Sequence, residues 1–314
     1  MATATLRPML KTQAQDFTRD TDLTGEELAQ LVELTLKIKR TPARYAKVLT
    51  GSYISLLFEK PSLRTRLTFE LAIKQLGGDA VAQVGPIGDR EPLKDVARNL
   101  DRWTQAIVAR TFSQKTIDEL ARWSSVPVIN ALSDLWHPCQ ALADVVTIRE
   151  RFGRLNNLKI AFVGDGNNVA HSLMITSLRL GANFALATPN GYEAKPEIIA
   201  QAYDIARERG LQLQLTNDPC EAVSGAHAVY TDVWASMGQE NQAAERREIF
   251  RDYQVNEALM GQARPDAMFM HCLPAKRDEE TTDGVMESPA SAVYDQAENR
   301  LHAQKALLLM LLGN

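Results

Sequence analysis

Aromatic residues are scarce in this chain, cysteines are scarcer, and no apolar run reaches membrane-spanning length. Of 314 residues only 6% are Phe, Trp or Tyr, and three are cysteine. Cys139, Cys220 and Cys272 are odd in number and widely spaced. That excludes a disulfide framework and points to a reducing compartment, hence a cytoplasmic location. No CxxC and no His/Cys spacing suggests a metal site, so no metal ligand is assigned. The absence of about 20 consecutive apolar residues argues against a membrane-crossing helix, and the apolar tail "KALLLMLLGN" reads as a packed helix. A net charge of −4 disfavours a nucleic-acid partner, although a local basic pocket can still attract a small anion. The first 19 residues carry three basic residues and no acid before Asp16, a faint likeness to a transit peptide that lacks serine and a clear amphipathic pattern. No internal repeat or low-complexity segment stands out.

What the chain does have is 45% apolar residues and a regular alternation of elements. Thr24 and Glu27 have the spacing of a capping box, opening a helix to about Lys39. Apolar strands at 52–58, in "GGDAVAQVGP", "AIVART" and "PVINAL" alternate with helices, including "EPLKDVARNLDRW" and "KTIDELARWSS". A further helix, 137–153, ends at Gly153 and a polar "GRLNN". A second series then opens with "LKIAFVGDGNN" and continues through "NFALATPNG", "AHAVYTDVWASMG" and "AMFMHCLPA". Such alternation implies α/β architecture with parallel sheets, and the length suits two domains. In open parallel sheets ligands gather at the carboxyl ends of strands. Those ends carry residues 62–66, Arg110, His137, Asn167 and Asn168, 232–238, and 271–274.

The stretch "LLFEKPSLRTR" places Ser62, Arg64, Thr65 and Arg66 where a strand gives way to a helix. Leu67 and Leu71, and Phe69, Ile73 and Leu76, recur at three- and four-residue spacings up to Gly77-Gly78, an amphipathic helix with a glycine stop, so Ser62 falls at the N-cap. Unpaired N–H groups, the positive end of the helix dipole and adjacent guanidiniums together make an anion site suited to phosphate. Arg110 ends a buried strand in the same half. His137 and Gln140 stand one helical turn apart and can face one pocket, where an imidazole and an amide suit a carbamoyl or carboxamide group as well as a phosphate. "VGDGNN" resembles the start of a dinucleotide-binding unit, but Val169 stands where its third glycine belongs and "ATPNG" supplies no ribose-binding acid. Asn167 and Asn168 could instead hold an amino-acid head group. Asp232 could pair with a substrate ammonium, and 236–238 read as a loop beside it. Cys272 is either simply buried or touches the reacting group, with no acid–base partner beside it in sequence.

"FEKPSLRTR", "HPCQALAD", "VGDGNN", "DVWASMGQE", "HCLPA" and "AENRLHAQKALL" occur in one order over nearly the whole chain. Together they resemble the family of ornithine and aspartate carbamoyltransferases, and the Ser-Met-Gly and His-Cys-Leu-Pro pieces resemble its ornithine branch. The resemblance implies two doubly wound parallel-sheet domains with the active site in the interdomain cleft, assembled as a homotrimer or a multiple of trimers. It implies a carbamoyl phosphate-binding domain over 1–150, an ornithine-binding domain over 151–288, and a C-terminal helix, 289–314, returning to the first. Carbamoyl phosphate would be held by Ser62, Leu63, Arg64, Thr65, Arg110, His137, Gln140, Cys272, Leu273 and Arg300, with Arg66 buttressing the loop. Ornithine would be held by Asn168, Asp232, Ser236 and Met237. Arg64, Arg110, His137, Asp232 and Cys272 would carry the transfer, with no cofactor, no nucleic acid and no membrane involved.

Two positions depart from the family pattern. Leu63 stands where ornithine members usually have Thr, which removes a hydroxyl but leaves the backbone N–H. "SLRTR" thereby also resembles relatives acting on N-acetyl- or N-succinyl-ornithine, whereas "DVWASMG" resembles those taking free ornithine. Pro86 stands where many members place a Gln or His reaching a neighbouring subunit's phosphate, and Arg90 is the candidate to compensate. The rival readings are a carbamoyltransferase for acylated ornithine or putrescine, an NAD-dependent oxidoreductase built on "VGDGNN", and a silent binding protein that keeps the fold.

Overall fold

The computed structural model describes residues 12–235 and 240–313. The chain divides into two units, one running to Leu142 and resuming at Arg300, the other Ala143–Asn299.

In the first unit Thr24 caps α1 (Gly25–Arg40): its hydroxyl accepts the Glu27 N–H at 3.1 Å, and the Glu27 carboxylate accepts the Thr24 N–H at 2.7 Å. There follow β1 (Tyr53–Phe58), α2 (Leu63–Gln75), β2 (Asp79–Val84), α3 (Leu93–Trp103), β3 (Ala106–Arg110), α4 (Gln114–Trp123) and β4 (Val128–Leu132). The strands form one parallel sheet in the order β2-β1-β3-β4. β3 is buried along its whole length, as its unbroken apolar run predicts. Leu57, Ile107, Ala109, Ile117, Leu120 and Val128 form one core of this unit.

Of the two apolar sets in the helix after Ser62, only one is buried. Phe69, Ile73 and Leu76 are buried, but Leu67 and Leu71 are exposed. At 100° per residue, positions two apart lie on nearly opposite sides, so the five residues never shared one stripe. Leu63, Leu67 and Leu71, four apart, make a second stripe facing outward. The edge strand β2 also exposes Val81 and Val84.

The long helix α5 (Pro138–Phe152) begins in the first unit and continues into the second. The second unit then holds β5 (Lys159–Val163), α6 (Asn168–Arg179), β6 (Asn183–Ala187), α7 (Pro196–Arg209), β7 (Leu213–Thr216), α8 (Pro219–Val223), β8 (Ala228–Thr231), α9 (Ala243–Ile249), α10 (Glu257–Met260), β9 (Met268–His271) and α11 (Asp283–Met286). The last helix, α12 (Val293–Leu312), starts here and ends in the first unit with most of its tail buried, as the packed-helix reading predicts. The second sheet is parallel, in the order β7-β6-β5-β8-β9. β7 has no fully buried residue, which is why no apolar run announced it. No described helix is long and apolar enough to cross a membrane.

Both strand orders reverse once. In the first sheet the chain steps from β1 outward to β2, then returns to the other side of β1 as β3. In the second it steps from β5 through β6 to β7, then returns beside β5 as β8. At such a reversal the loops after the two central strands diverge and leave a crevice. The loops concerned are those after β1 and β3, and those after β5 and β8.

Candidate functional site

In the first unit the crevice is furnished by the loop after β1 and by Arg110 at the end of β3. Ser62 occupies the N-cap position of α2 in extended conformation, but its side chain makes no cap bond to the helix. Its hydroxyl instead accepts from Arg110 Nη1 at 3.2 Å. The same nitrogen donates to Thr65 Oγ1 at 3.2 Å, and Arg300 Nη2 donates to that oxygen at 2.8 Å. Thr65, Arg110 and Arg300 are all buried. Two guanidiniums converging on one hydroxyl repel each other in a poorly solvated place, and a bound dianion would offset that repulsion.

His137 and Gln140 enter from the start of α5, both buried, with the Gln140 N–H donating to the His137 carbonyl at 3.0 Å. Burial, together with the Arg300 and Arg110 charges, holds the His137 imidazole well below the usual histidine range. It is therefore neutral at physiological pH, a hydrogen-bond donor rather than a fourth cation. Cys139, between them, has its thiol pushed up to about 12 by burial and is inert. Arg64 is half-buried in the first turn of α2 and Leu63 is exposed. Arg66 turns away onto the outer face, where it pairs with Glu70 at 2.9 Å.

In the second unit the crevice is furnished by Asn167, Asp232 and the turn after β9. Asn167 caps α6, its Oδ1 accepting from the N–H groups of Val169 and Ala170 at 2.9 and 3.1 Å. Its Nδ2 donates to Asp232 Oδ2 at 2.9 Å, and Cys272 Sγ donates to Asp232 Oδ1 at 3.0 Å. Asp232 thus has both oxygens engaged and one polar neighbour on each side. Asn168 is the first residue of α6. Ser236 and Met237, predicted to hold ornithine, lie outside the described residues.

The dinucleotide reading has a physical answer here. Gly166 does permit a close approach, but of the chain's own backbone. A Cβ there would lie 2.2 Å from Ala194 N and 2.4 Å from Glu193 C, and the Gly166 N–H donates to the Tyr192 carbonyl at 2.9 Å. With Asn167 also covering the helix end, the place a pyrophosphate would take is filled.

The strand end 271–274 stands among the candidates read from the sequence, whereas its partner Glu280 does not. His271, fully buried, accepts the Leu273 N–H on Nδ1 at 2.8 Å and meets Glu280 Oε1 through Nε2 at 3.2 Å. Leu273 sits at φ +58°, a conformation unfavourable for a side-chain-bearing residue, and the bond to His271 holds it there. Donor-type atoms of Asp232, His271 and Cys272 lie within 4.8 Å of one another. With both His271 nitrogens already engaged, this trio is built for hydrogen bonding rather than for a metal. Only the pairing of β8 with β9 brings Asp232 beside residues some forty positions later.

Comparison with known proteins accounts for both halves. A family model described as "Aspartate/ornithine carbamoyltransferase, carbamoyl-P binding domain" matches residues 15–150, and one described as "Aspartate/ornithine carbamoyltransferase, Asp/Orn binding domain" matches 156–311. The ornithine carbamoyltransferase of Thermococcus kodakarensis is 52% identical over 302 residues, 95% of either chain. A protein of Pyrococcus furiosus named "Ornithine carbamoyltransferase, anabolic" is 50% identical over 297 residues, covering 93% of this chain and 94% of its own. A solved structure of ornithine carbamoyltransferase from Pyrococcus furiosus superposes with a TM-score of 0.92 at 49% identity, covering 96% of this chain and 98% of that one. The chain belongs to the aspartate/ornithine carbamoyltransferase family.

Proposed function

We propose that this protein transfers the carbamoyl group of carbamoyl phosphate to the δ-amine of L-ornithine, giving L-citrulline and phosphate. The observation that carries the reading is the convergence of Arg110 and Arg300 on Thr65, beside a Ser62 that leaves the first turn of α2 uncapped. That arrangement suits a phosphate dianion that becomes the leaving group. Relatives about half identical over nearly their whole length bear the name ornithine carbamoyltransferase, which supports ornithine as acceptor. One of them is named anabolic, which favours the direction of arginine synthesis.

In this reading Ser62, the Leu63 N–H, Arg64 and Thr65 hold the phosphate, and Arg110 bridges phosphate and carbamoyl oxygen. Neutral His137 donates to that oxygen and Gln140 orients the carbamoyl amide. We assign Cys272 and the Leu273 backbone to the amide, and Arg300 to the same ligand. Asn168 and Asp232, with Ser236 and Met237, take ornithine. The neutral δ-amine attacks the carbamoyl carbon, the new C–N bond forms, the C–O bond to phosphate breaks, and the departing phosphate takes the amine proton. Charge growing on the carbamoyl oxygen is met by Arg64, Arg110 and His137, donors worth about 3 kcal/mol each in comparable sites. No covalent intermediate is needed.

A homotrimer in the cytoplasm belongs to the same proposal. The outward stripe Leu63, Leu67 and Leu71, with Val81 and Val84 on the edge strand, supports self-association, because so much apolar surface beside the open edge of a sheet is a liability in a monomer. Citrulline formation from carbamoyl phosphate with L-ornithine, N-acetylornithine, N-succinylornithine and putrescine in parallel tests the acceptor. Turnover with ornithine alone is expected. Turnover only with an acylated ornithine would keep the phosphate half and overturn the acceptor half.

A further inference from the structure

Arg246, on α9, is buried and makes an unusual set of contacts for a residue outside both half-sites. Its Nη1 donates to Asp165 Oδ2 at 2.9 Å and to the Trp234 carbonyl at 2.7 Å. Its Nε donates to Gln242 Oε1 at 3.3 Å, and its guanidinium lies over the rings of Tyr192 and Phe250, 4.8 and 5.8 Å from their centres. Asp165 and Trp234 flank the acceptor half-site from two directions. The Asp165 carbonyl accepts the Asn167 N–H, and the Asn167 side chain donates to Asp232. Trp234 lies two residues beyond Asp232 on the same segment. One guanidinium therefore grips the loop after β5 and the segment after β8, the two that carry the Asp232 pair.

The charge arrangement points the same way. Asp165 and Asp232 are both buried and close enough to repel. Burial raises the Asp165 carboxyl to about 6, with Arg246 pulling it down and Asp232 pushing it up. Two carboxylates in one low-dielectric place cannot both stay ionised without a counter-cation. A buried ion pair adds little stability over an apolar or neutral replacement, so stability alone is a weak reason to place one there.

We propose that Arg246 is a positioning residue for the acceptor half-site: it neutralises Asp165 and fixes the two segments bearing Asn167 and Asp232, so that Asp232 presents its charge to the substrate ammonium, and it touches neither substrate. This rests on ornithine being the acceptor, which wild-type turnover tests first and independently.

The test is steady-state kinetics on the full chain for Arg246→Gln, Arg246→Lys, Asp165→Asn and the double variant Arg246→Gln/Asp165→Asn, with thermal melting to establish folding. With wild type active on ornithine, Arg246→Gln is expected to raise the ornithine KM at least tenfold and to leave the carbamoyl phosphate KM within threefold. Arg246→Lys, which keeps the charge, should raise it less. Asp165→Asn leaves an uncompensated cation near Asp232 and should also raise the ornithine KM. The charge-balanced double variant should recover at least threefold of the loss, and if Arg246→Gln fails to fold, the comparison of Asp165→Asn with the double variant decides. An unchanged ornithine KM, a rise in both KM values together, or a double variant no better than the single one would overturn the proposal.

Discussion

Ser62 and His137 show how a side chain's partner, rather than its type, sets its use. Serine at an N-cap ordinarily bonds the helix it caps, and losing such a bond costs about 1 kcal/mol. Ser62 bonds Arg110 instead. Ser62→Ala should therefore change the urea midpoint little while raising the KM for carbamoyl phosphate about tenfold, the size of a lost charged hydrogen bond. A stability loss above 1 kcal/mol with unchanged KM would mark Ser62 as a plain cap. His137 makes a pH prediction. The unfolded chain takes up a proton at this imidazole below about pH 6.5, whereas the buried, cation-flanked imidazole of the folded chain does not. Acid therefore favours unfolding: the contribution is fully present above pH 6.5 and is lost as the pH falls below it. Between pH 7.5 and 5.5 wild type should lose up to about 1.4 kcal/mol more stability than His137→Gln, measured by urea unfolding at the two pH values.

At the scale of elements, the two helix N-termini beside the central strands differ in who covers them. Asn167 caps α6 with its own side chain, so that end is closed to an outside anion. Ser62 leaves the first turn of α2 open to one. The glycines of "VGDGNN" are explained within the chain itself: Gly164 by its backbone conformation, φ +140°, and Gly166 by packing, with the 193–194 backbone where a Cβ would go. Gly166→Ala must displace that backbone and should destabilise by about 1–3 kcal/mol, read from the urea midpoint. An unchanged midpoint would mean that the 192–194 segment moves freely. Much of this scale was legible in sequence. The Thr24–Glu27 capping box, the buried run of β3 and the helix from Pro138 to Phe152 all follow from local pattern. Not legible were which apolar set of α2 is buried, because Leu67 and Leu71 on one side show the same three- and four-residue spacing as Phe69, Ile73 and Leu76 on the other, and β7, because half-buried residues leave no apolar run.

For the whole molecule, the outward leucines of α2 and the exposed edge of β2 make the assembly prediction. Light scattering should find a multiple of the 34.9 kDa chain mass, three in the proposed assembly. Leu67→Glu together with Leu71→Glu should bring it to one, since charges on a buried apolar face are costly to desolvate. A wild-type chain that runs as a monomer would remove the homotrimer from the proposal. If the loop carrying Pro86 and Arg90 serves a neighbouring copy, Arg90→Ala should raise the KM for carbamoyl phosphate. An unchanged KM would leave Arg90 without that part.

By itself the sequence determined which elements form and which residue types crowd the strand ends, because both depend on local periodicity and on residues close along the chain. It carried Ser62, Thr65, Arg110, His137 and Asp232 into the list of candidates, and Arg300 through the family resemblance. Only the tertiary structure decided which of these meet. Thr65 accepts from two arginines, one of them 235 positions away, and Asp232 bonds Asn167 and Cys272 across 65 and 40 positions. Arg246 reaches Asp165 over 81. Such pairings depend on strand order and on burial, which turn a scattered set of arginines and acids into neighbours in a place with little water, where their charges must be answered by one another or by a substrate.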